Sequence, residues 1–308
     1  MNLISLLSSV FEQTTPILLA ALASMITLRA NILNVAVEGM MLVGAFAAIA
    51  VGALTESAGL GFLAAVCASV TCSQLLAFIT LKLGANFIVA GLGINLLAGG
   101  GTLYVLETVY MSPGGLRPIT FPDIWHLSGS WLDTIPVLGP ALSGQSFIVV
   151  LAILAVPACY LFLYHSPTGS YLRAAGEDEH AALSAGINVV RMKALSLAIS
   201  GLLSGLAGAQ LAMDNLHFFL PDMTAGRGFI GLAAALFGAG QPVMSSIAAL
   251  LFGFFGALGD RLQVYAIPSQ FVLMLPYLAA ILGLTFARWR RMRLDQPAPV
   301  APSEPKKA

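Results

Sequence analysis

Long uncharged runs set the first limit on what this chain can become. The stretch from Met40 to Leu54, MMLVGAFAAIAVGAL, holds no charge, and similar runs follow one another through most of the 308 residues. Charged residues make up 9% of the sequence and mean hydropathy is +0.90, whereas soluble domains carry roughly 25% charge. So little charge cannot cover a surface that faces water. It suits a surface that faces hydrocarbon. Backbone N–H and C=O groups in lipid must find partners within the protein, which leaves helices or closed barrels. No stretch alternates with period two, so the spans are helical. The fold class is all-α, a polytopic transmembrane helical bundle.

A crossing helix takes roughly 20 apolar residues. Such runs lie at about 14–29, 35–54, 59–80, 84–106, 146–165, 194–213, 226–240, 243–260 and 268–287. The stretch 226–240 is short and glycine-rich and reads as a crossing or as a broken, re-entrant helix, so the count is about 8–10 spans. Residues 1–290 form one transmembrane domain, and 291–308 is read as a disordered cytoplasmic tail. No positive region precedes an apolar run, because the first basic residue is Arg29, so no signal peptide is read. MNLISLLSSVFE is expected to form a short interfacial helix.

Zero net charge gives no reason to expect nucleic acid or an acidic ligand. Cys67, Cys72 and Cys159 sit in apolar runs and read as small buried residues. The four histidines, His126, His165, His180 and His217, show no metal-ligand spacing. No nucleophile–base arrangement and no intramembrane carboxylate pair is visible, so an intramembrane enzyme is not indicated.

Lysine and arginine give the orientation. With an external N-terminus and nine crossings, eleven of the 14 basic residues fall inside and Arg117, Arg227 and Arg261 outside. The C-terminus is then cytoplasmic. The Pro- and Gly-rich segment from Glu107 to Gln145 is external, with Trp125 and Trp131 as interfacial anchors.

The one strongly polar inner segment is YLRAAGEDEHAALSAGINVVRMK, Tyr171 to Lys193. GEDEHAALSAG reads as a short amphipathic helix. Glu177, Asp178 and Glu179 lead it, where a helix N-terminus favours negative charge, and Gly186 sits where a C-terminal stop is expected. Ala181, Ala182, Leu183 and Ala185 offer a small apolar face. By these residues alone it is either an ordinary solvated loop or a helix shaped for another protein's groove.

The segment from Arg173 to Lys193 resembles the cytoplasmic coupling loop of ABC-importer permeases, in the branched-chain amino acid, ribose and nucleoside permease superfamily. The pattern is carried by Arg173, Ala174, Gly176, Ala181, Ala182, Gly186, Ile187 and Val189. RANILNVAVEGMMLVGAFAA resembles that family's Asn-x-x-x-Glu-Gly-Met signature, here Asn34, Glu38, Gly39 and Met40. MTAGRGFIGLAAALFGAGQP, GDRLQ and MLPYLAAILGL resemble its C-terminal half. The likeness is greatest to the smaller permease subunit of nucleoside or simple-sugar importers. It implies a bacterial inner-membrane protein forming half a pore, a heterodimer with a second permease rather than a homodimer. It also implies a cytoplasmic ATPase that binds ATP and Mg, and an external binding protein that delivers substrate. The coupling loop is then about 166–193, with Arg173, Gly176, Glu177, Asp178, His180, Ala181, Ala182 and Gly186 at the motor contact. Ala182→Asp is expected to uncouple transport. The chain has no G-x-x-x-x-G-K-[ST] phosphate loop, so ATP must be handled by another chain and this one holds no cofactor.

Polar groups inside the apolar runs are the candidates for a translocation pathway: Asn34, Glu38, Asn86, Asn95 and Gln210. Glu38 lies a few residues into the second span and is expected to be shallow. It is either a gate or a structural carboxylate, paired with Arg29 or capping backbone donors. Asn86 and Asn95 are nine residues apart and point to roughly opposite faces unless their helix is broken, which Gly91, Gly93, Gly99, Gly100 and Gly101 make credible. Gln210, Asp214 and Asn215 end the sixth span outside. Asn86-Phe-Ile-Val-Ala-Gly-Leu echoes Gly228-Phe-Ile-Gly-Leu, as in an inverted repeat. A branched-chain amino acid permease and an ion-gradient-driven transporter are the alternatives; shallow Glu38 as the one near-buried acid argues against the latter. A reporter fused after Arg290 is expected to read as cytoplasmic; an external reading overturns the orientation.

Overall fold

The computed structural model describes residues 3–112, 114–118, 124–126, 143–262 and 274. The chain divides into two compact units, Met1–Leu258 and Gly259–Ala308; the described part of the second is the end of the last helix and Met274. The helices are α1 (Leu3–Arg29), α2 (Val37–Thr55), α3 (Ala58–Ala77), α4 (Phe87–Thr108), α5 (Phe147–His165), α6 (Pro167–Glu177), α7 (Glu179–Ser184), α8 (Val189–Ala209), α9 (Arg227–Phe237) and α10 (Pro242–Leu262). α3 runs on into a π-helical turn, Phe78–Lys82, and α8 into another, Gln210–Leu216. Among the described residues seven helices are long and apolar enough to cross a bilayer: α1, α2, α3, α4, α5, α8 and α10. The expected span at 268–287, Met274 apart, and the tail at 291–308 lie outside the described residues.

α1, α2 and α8 form the centre. The α8 span is 72% buried, whereas the α4 span is 22% buried and presents Leu92, Leu96, Leu97 and Tyr104 outward. Lipid offers no hydrophobic drive between helices, so close packing must hold them, and small residues allow it. Gly44 of α2 meets Gly205 of α8. A Cβ on Gly205 would stand 2.8 Å from the carbonyl oxygen of Ala65 and 2.9 Å from the Cα of Val66 on α3. Three helices thus touch backbone to backbone at one level. Ser196, Ser200 and Ser204 continue this small face of α8, all fully buried. Ser196 and Ser204 donate to carbonyls of their own helix, at 2.7 and 2.8 Å, so burial leaves no hydroxyl idle there.

Several sequence expectations change. MNLISLLSSVFE is not a separate interfacial helix. α1 runs unbroken from Leu3 through Pro16 to Arg29, because its apolar face continues into the core from Val10. α4 is not broken at its glycines: its helix persists from Phe87 to Thr108, with open space beside Gly93, Gly99, Gly100 and Gly101. The stretch 226–240 resolves into the 11-residue α9, about 17 Å long and too short to cross alone. The two echoing stretches both open helices, α4 and α9.

Gly205→Ala is expected to destabilise the protein by about 1–3 kcal/mol, because the atoms it meets are backbone. Gly100→Ala should cost under about 0.5 kcal/mol. Thermal unfolding of the two variants in one detergent checks the difference; equal midpoints would refute the three-helix contact.

Candidate functional site

The polar inner segment folds as two short helices at an angle, not one. Ser166 caps α6 by accepting from the Gly169 N–H at 3.0 Å, with Pro167 at the first position. Glu177 ends α6 instead of leading the next helix. Asp178 is the cap of α7, accepting from the N–H groups of His180 (2.9 Å) and Ala181 (3.0 Å). Those donors, Ala181 first and His180 second, hold the exposed Asp178 carboxyl below the usual carboxylate range. A lowered value means the ionised cap persists through neutral pH and is lost only as pH falls through that value. At the other end Gly186 takes φ +79°, and Gly186 and Ile187 donate back to Leu183 and Ala182, both at 3.0 Å. This is the glycine stop expected from the sequence. Lys193 at the start of α8 pairs with Glu179.

The predicted coupling residues separate into two sets. Glu177, Asp178, His180, Ala181 and Gly186 are exposed, and so is Leu183, at 57%. Arg173, Gly176 and Ala182 turn inward. Ala182 packs with Ala175, Val189 and Met192 in a small core of the loop itself. Ala182→Asp would therefore disturb the loop's fold, and the outward apolar residues are Ala181, Leu183 and Ala185. Gly176 lies so close under the end of α1 that a Cβ there would overlap the Arg29 carbonyl. Arg173 stacks over the Tyr164 ring at 4.9 Å, and its buried Nε has no hydrogen-bond partner.

Of the predicted pathway residues, Asn34, Glu38 and Asn95 gather at the connection between α1 and α2. Residues 30–36 are not helical, and Asn31 adopts φ +59°. The segment turns back into the bundle. Asn34 donates to Ser200 Oγ at 3.0 Å, and Gly39 donates to Asn95 Oδ1 at 2.8 Å. Ser200 is about 16 Å along α8 from Val189, and Asn95 about 12 Å along α4 from Phe87. Both helices start at the loop end, so α2 begins near their middles. Glu38, second residue of α2, is therefore deep and 8% exposed, not shallow. Asn95 also donates to the Val35 carbonyl at 3.0 Å, and Asn34 Oδ1 accepts from Ala36 at 3.0 Å. The two asparagines thus satisfy backbone groups that the break leaves without helical partners.

Glu38 does not pair with Arg29. Its two oxygens accept from the N–H groups of Gly226 (2.8 Å) and Gly228 (2.7 Å), the N-terminus of α9. Gly228 is needed there, since a Cβ would lie 2.7 Å from Glu38 backbone atoms. Arg29 instead donates through Nε to the Gly240 carbonyl (2.5 Å), just past the C-terminus of α9, and through Nη2 to the Tyr164 hydroxyl (3.2 Å). Gly240 turns with φ +66° to end the helix. One short helix is thus held at its positive end by a carboxylate and at its negative end by a guanidinium, both favourable to its dipole. Both come from the two flanks of a single connection.

Asn86 and Gln210 lie elsewhere. Exposed Asn86 caps α4, accepting from Ile88 (2.9 Å) and Val89 (3.3 Å). Gln210 is fully buried in the π-turn after α8. Its Nε2 donates to Asp214 at 2.8 Å, while its Oε1 has no partner. Ser146 donates to Asp214 at 2.6 Å, and His126 Nε2 stands 3.6 Å from it. Among the described residues no three His, Cys, Asp or Glu side chains gather as a metal site would require.

Sequence reasoning missed Tyr164, Gly226, Gly240, Ser146 and Ser200. The glycines had a signal: AGRG and GAG bracket an apolar run of helical length. Tyr164 and the serines had none, because their partners are distant in sequence.

A family model described as branched-chain amino acid transport system / permease component matches residues 6–284. The guanosine ABC transporter permease protein NupQ of Bacillus subtilis is 32% identical, covering 92% of this chain and 93% of its own. The nucleoside ABC transporter permease protein NupC of Lactococcus lactis is 31% identical, over 88% of each chain. A Haloferax volcanii protein provisionally named glucose ABC transporter permease protein TsgC13 is 35% identical over 84% of this chain and 78% of its own. No solved structure matches the chain. With a deep polar connection, an outward capped loop and, among the described residues, seven helices of crossing length, the chain belongs to this permease family, as a multi-pass membrane subunit of an ABC transporter and not itself an enzyme.

Proposed function

We propose that the chain forms half of the translocation pore of an ATP-driven importer for a nucleoside-like or simple-sugar substrate. The observation that carries this is the loop: an ordered helix, capped at both ends, whose outward side offers Ala181 and Leu183 between charged neighbours. A groove in a cytoplasmic ATPase suits such a knob. That ATPase binds ATP and Mg, and this chain binds neither. An external binding protein delivers substrate, and a second, non-identical permease completes the pore. The membrane is the bacterial inner membrane, with the N-terminus outside and the C-terminus in the cytoplasm. The relatives named for guanosine and nucleosides favour a nucleoside, and the one named for glucose keeps sugars in the class.

Asn34, Glu38 and Asn95 mark the narrow level of the path, with α9 beside them, and Gln210 lies nearer its outer end. Asn86 belongs with them only as the start of the helix that carries Asn95. Glu38 already caps α9 through one backbone donor on each oxygen, a structural task that favours ATP over a coupling ion as the driving force.

Leu183→Asp places a charge in the docking face without touching the loop's core. Uptake should fall on the order of tenfold, the usual consequence of losing one central interface anchor, with an unchanged unfolding midpoint. Normal uptake would refute the docking face. Affinity capture from mild detergent, read by mass spectrometry, should recover a P-loop ATPase and a second permease; recovery of the intact chain alone would refute the importer reading. Glu38→Ala leaves one buried and one part-buried N–H group without acceptors and should destabilise α9 by about 1–3 kcal/mol or somewhat more. Hydrogen exchange at Gly226 and Gly228 would register this as lost protection, and unchanged protection would refute the cap.

A further inference from the structure

We propose that Arg29 is the positioning residue through which the coupling loop drives α9, so that the short helix is the part of the membrane domain that answers the motor first. This rests on the reading of the loop as the ATPase contact.

Three contacts build the joint. Gly176 of α6 lies against the Arg29 carbonyl with no room for a side chain. Arg173 of α6 stacks on the Tyr164 ring, and the Tyr164 hydroxyl accepts from Arg29 Nη2. Arg29 Nε then grips the Gly240 carbonyl. One guanidinium therefore touches the loop's support on one side and the end of α9 on the other. The rest of α9 follows because it is rigid and short. Gly231 seats it against Ala20 and Ala21 of α1, and at 11 residues it has no crossing length to fix its own position. Its far end meets Glu38 at the deep connection, level with Asn34 and Asn95. A push at Gly240 is thus delivered at the polar level of the bundle, about 17 Å away along the helix.

Gly231 lets α9 lie flush against α1 with no side chain interlocked there, and hydrogen bonds grip its two ends. That combination suits an element that slides between two arrangements. Spatial continuity alone does not establish coupling, so the test must break one bond without unfolding the joint. Tyr164→Phe does so: the ring stays for Arg173, and only the acceptor for Arg29 goes.

The experiment uses the whole complex in nanodiscs, with Cys67, Cys72 and Cys159 replaced by alanine and Leu236→Cys added on the exposed side of α9, where Leu236 is 54% exposed. Maleimide labelling is followed with and without ATP plus vanadate, alongside uptake and the amount of bound ATPase. In the parent complex the labelling rate should change with nucleotide. In Tyr164→Phe that change should shrink, and uptake should fall on the order of tenfold, the loss expected for a hydrogen bond to a charged group. Bound ATPase should stay at the parent level. Arg29→Gln should abolish the change. A nucleotide response that survives in both variants, with normal uptake, overturns this proposal and leaves the docking reading intact. A parent complex that holds no ATPase overturns the docking reading itself.

Discussion

Hydrocarbon gives no partner to a bare N–H or C=O, so a chain that stops being helical inside a membrane must supply the missing partners from its own side chains. Residues 30–36 do this. Asn34 and Asn95 between them serve Ala36, Val35 and Gly39, and Asn34 reaches Ser200 on α8. The break costs nothing in unpaired groups at those positions, and in return α2 can begin deep. Everything particular to the site follows. Glu38 is deep because α2 starts deep, and α9 can end beside it because a carboxylate is waiting for its first N–H groups.

The same connection explains why charges are found in so uncharged a chain. Arg29 and Glu38 do not neutralise each other. Each neutralises one end of α9, where unpaired N–H or C=O groups would otherwise be stranded. A helix too short to cross alone is held in place by the two flanks of a chain segment that is itself irregular. Close glycine contacts among α2, α3 and α8 form the rigid frame for this pair.

The spans were legible because hydropathy reports length and apolarity, and these fix which stretches cross. The polar loop from 166 to 193 was legible in outline because caps and stops are local: Gly186 was read correctly as a stop, and Asp178 only as one of three leading acids. Depth was not legible. NILNVAVEG reads as the ordinary start of a span, since nothing in its composition says that the chain first folds inward. The inward turn of Ala182 was equally hidden, because a row of alanines does not reveal which of them faces the loop's own core. Long-range pairs such as Arg29 with Gly240, or Glu38 with Gly226, join residues about two hundred positions apart, and one sequence carries no record of that pairing. For Glu38 the sequence offered a gate or a structural carboxylate, paired with Arg29 or capping backbone donors; its oxygens accept from the first N–H groups of α9.

The junction of Tyr164, Arg173, Arg29 and the Gly240 carbonyl also has a geometry that charge alone does not supply. Tyr164 meets two cations at once, accepting from Arg29 at its hydroxyl and offering its ring face to Arg173. Arg29 in turn serves two acceptors from one rigid plane, Gly240 through Nε and Tyr164 through Nη2. A lysine there would keep the charge and lose the planar fork that reaches both.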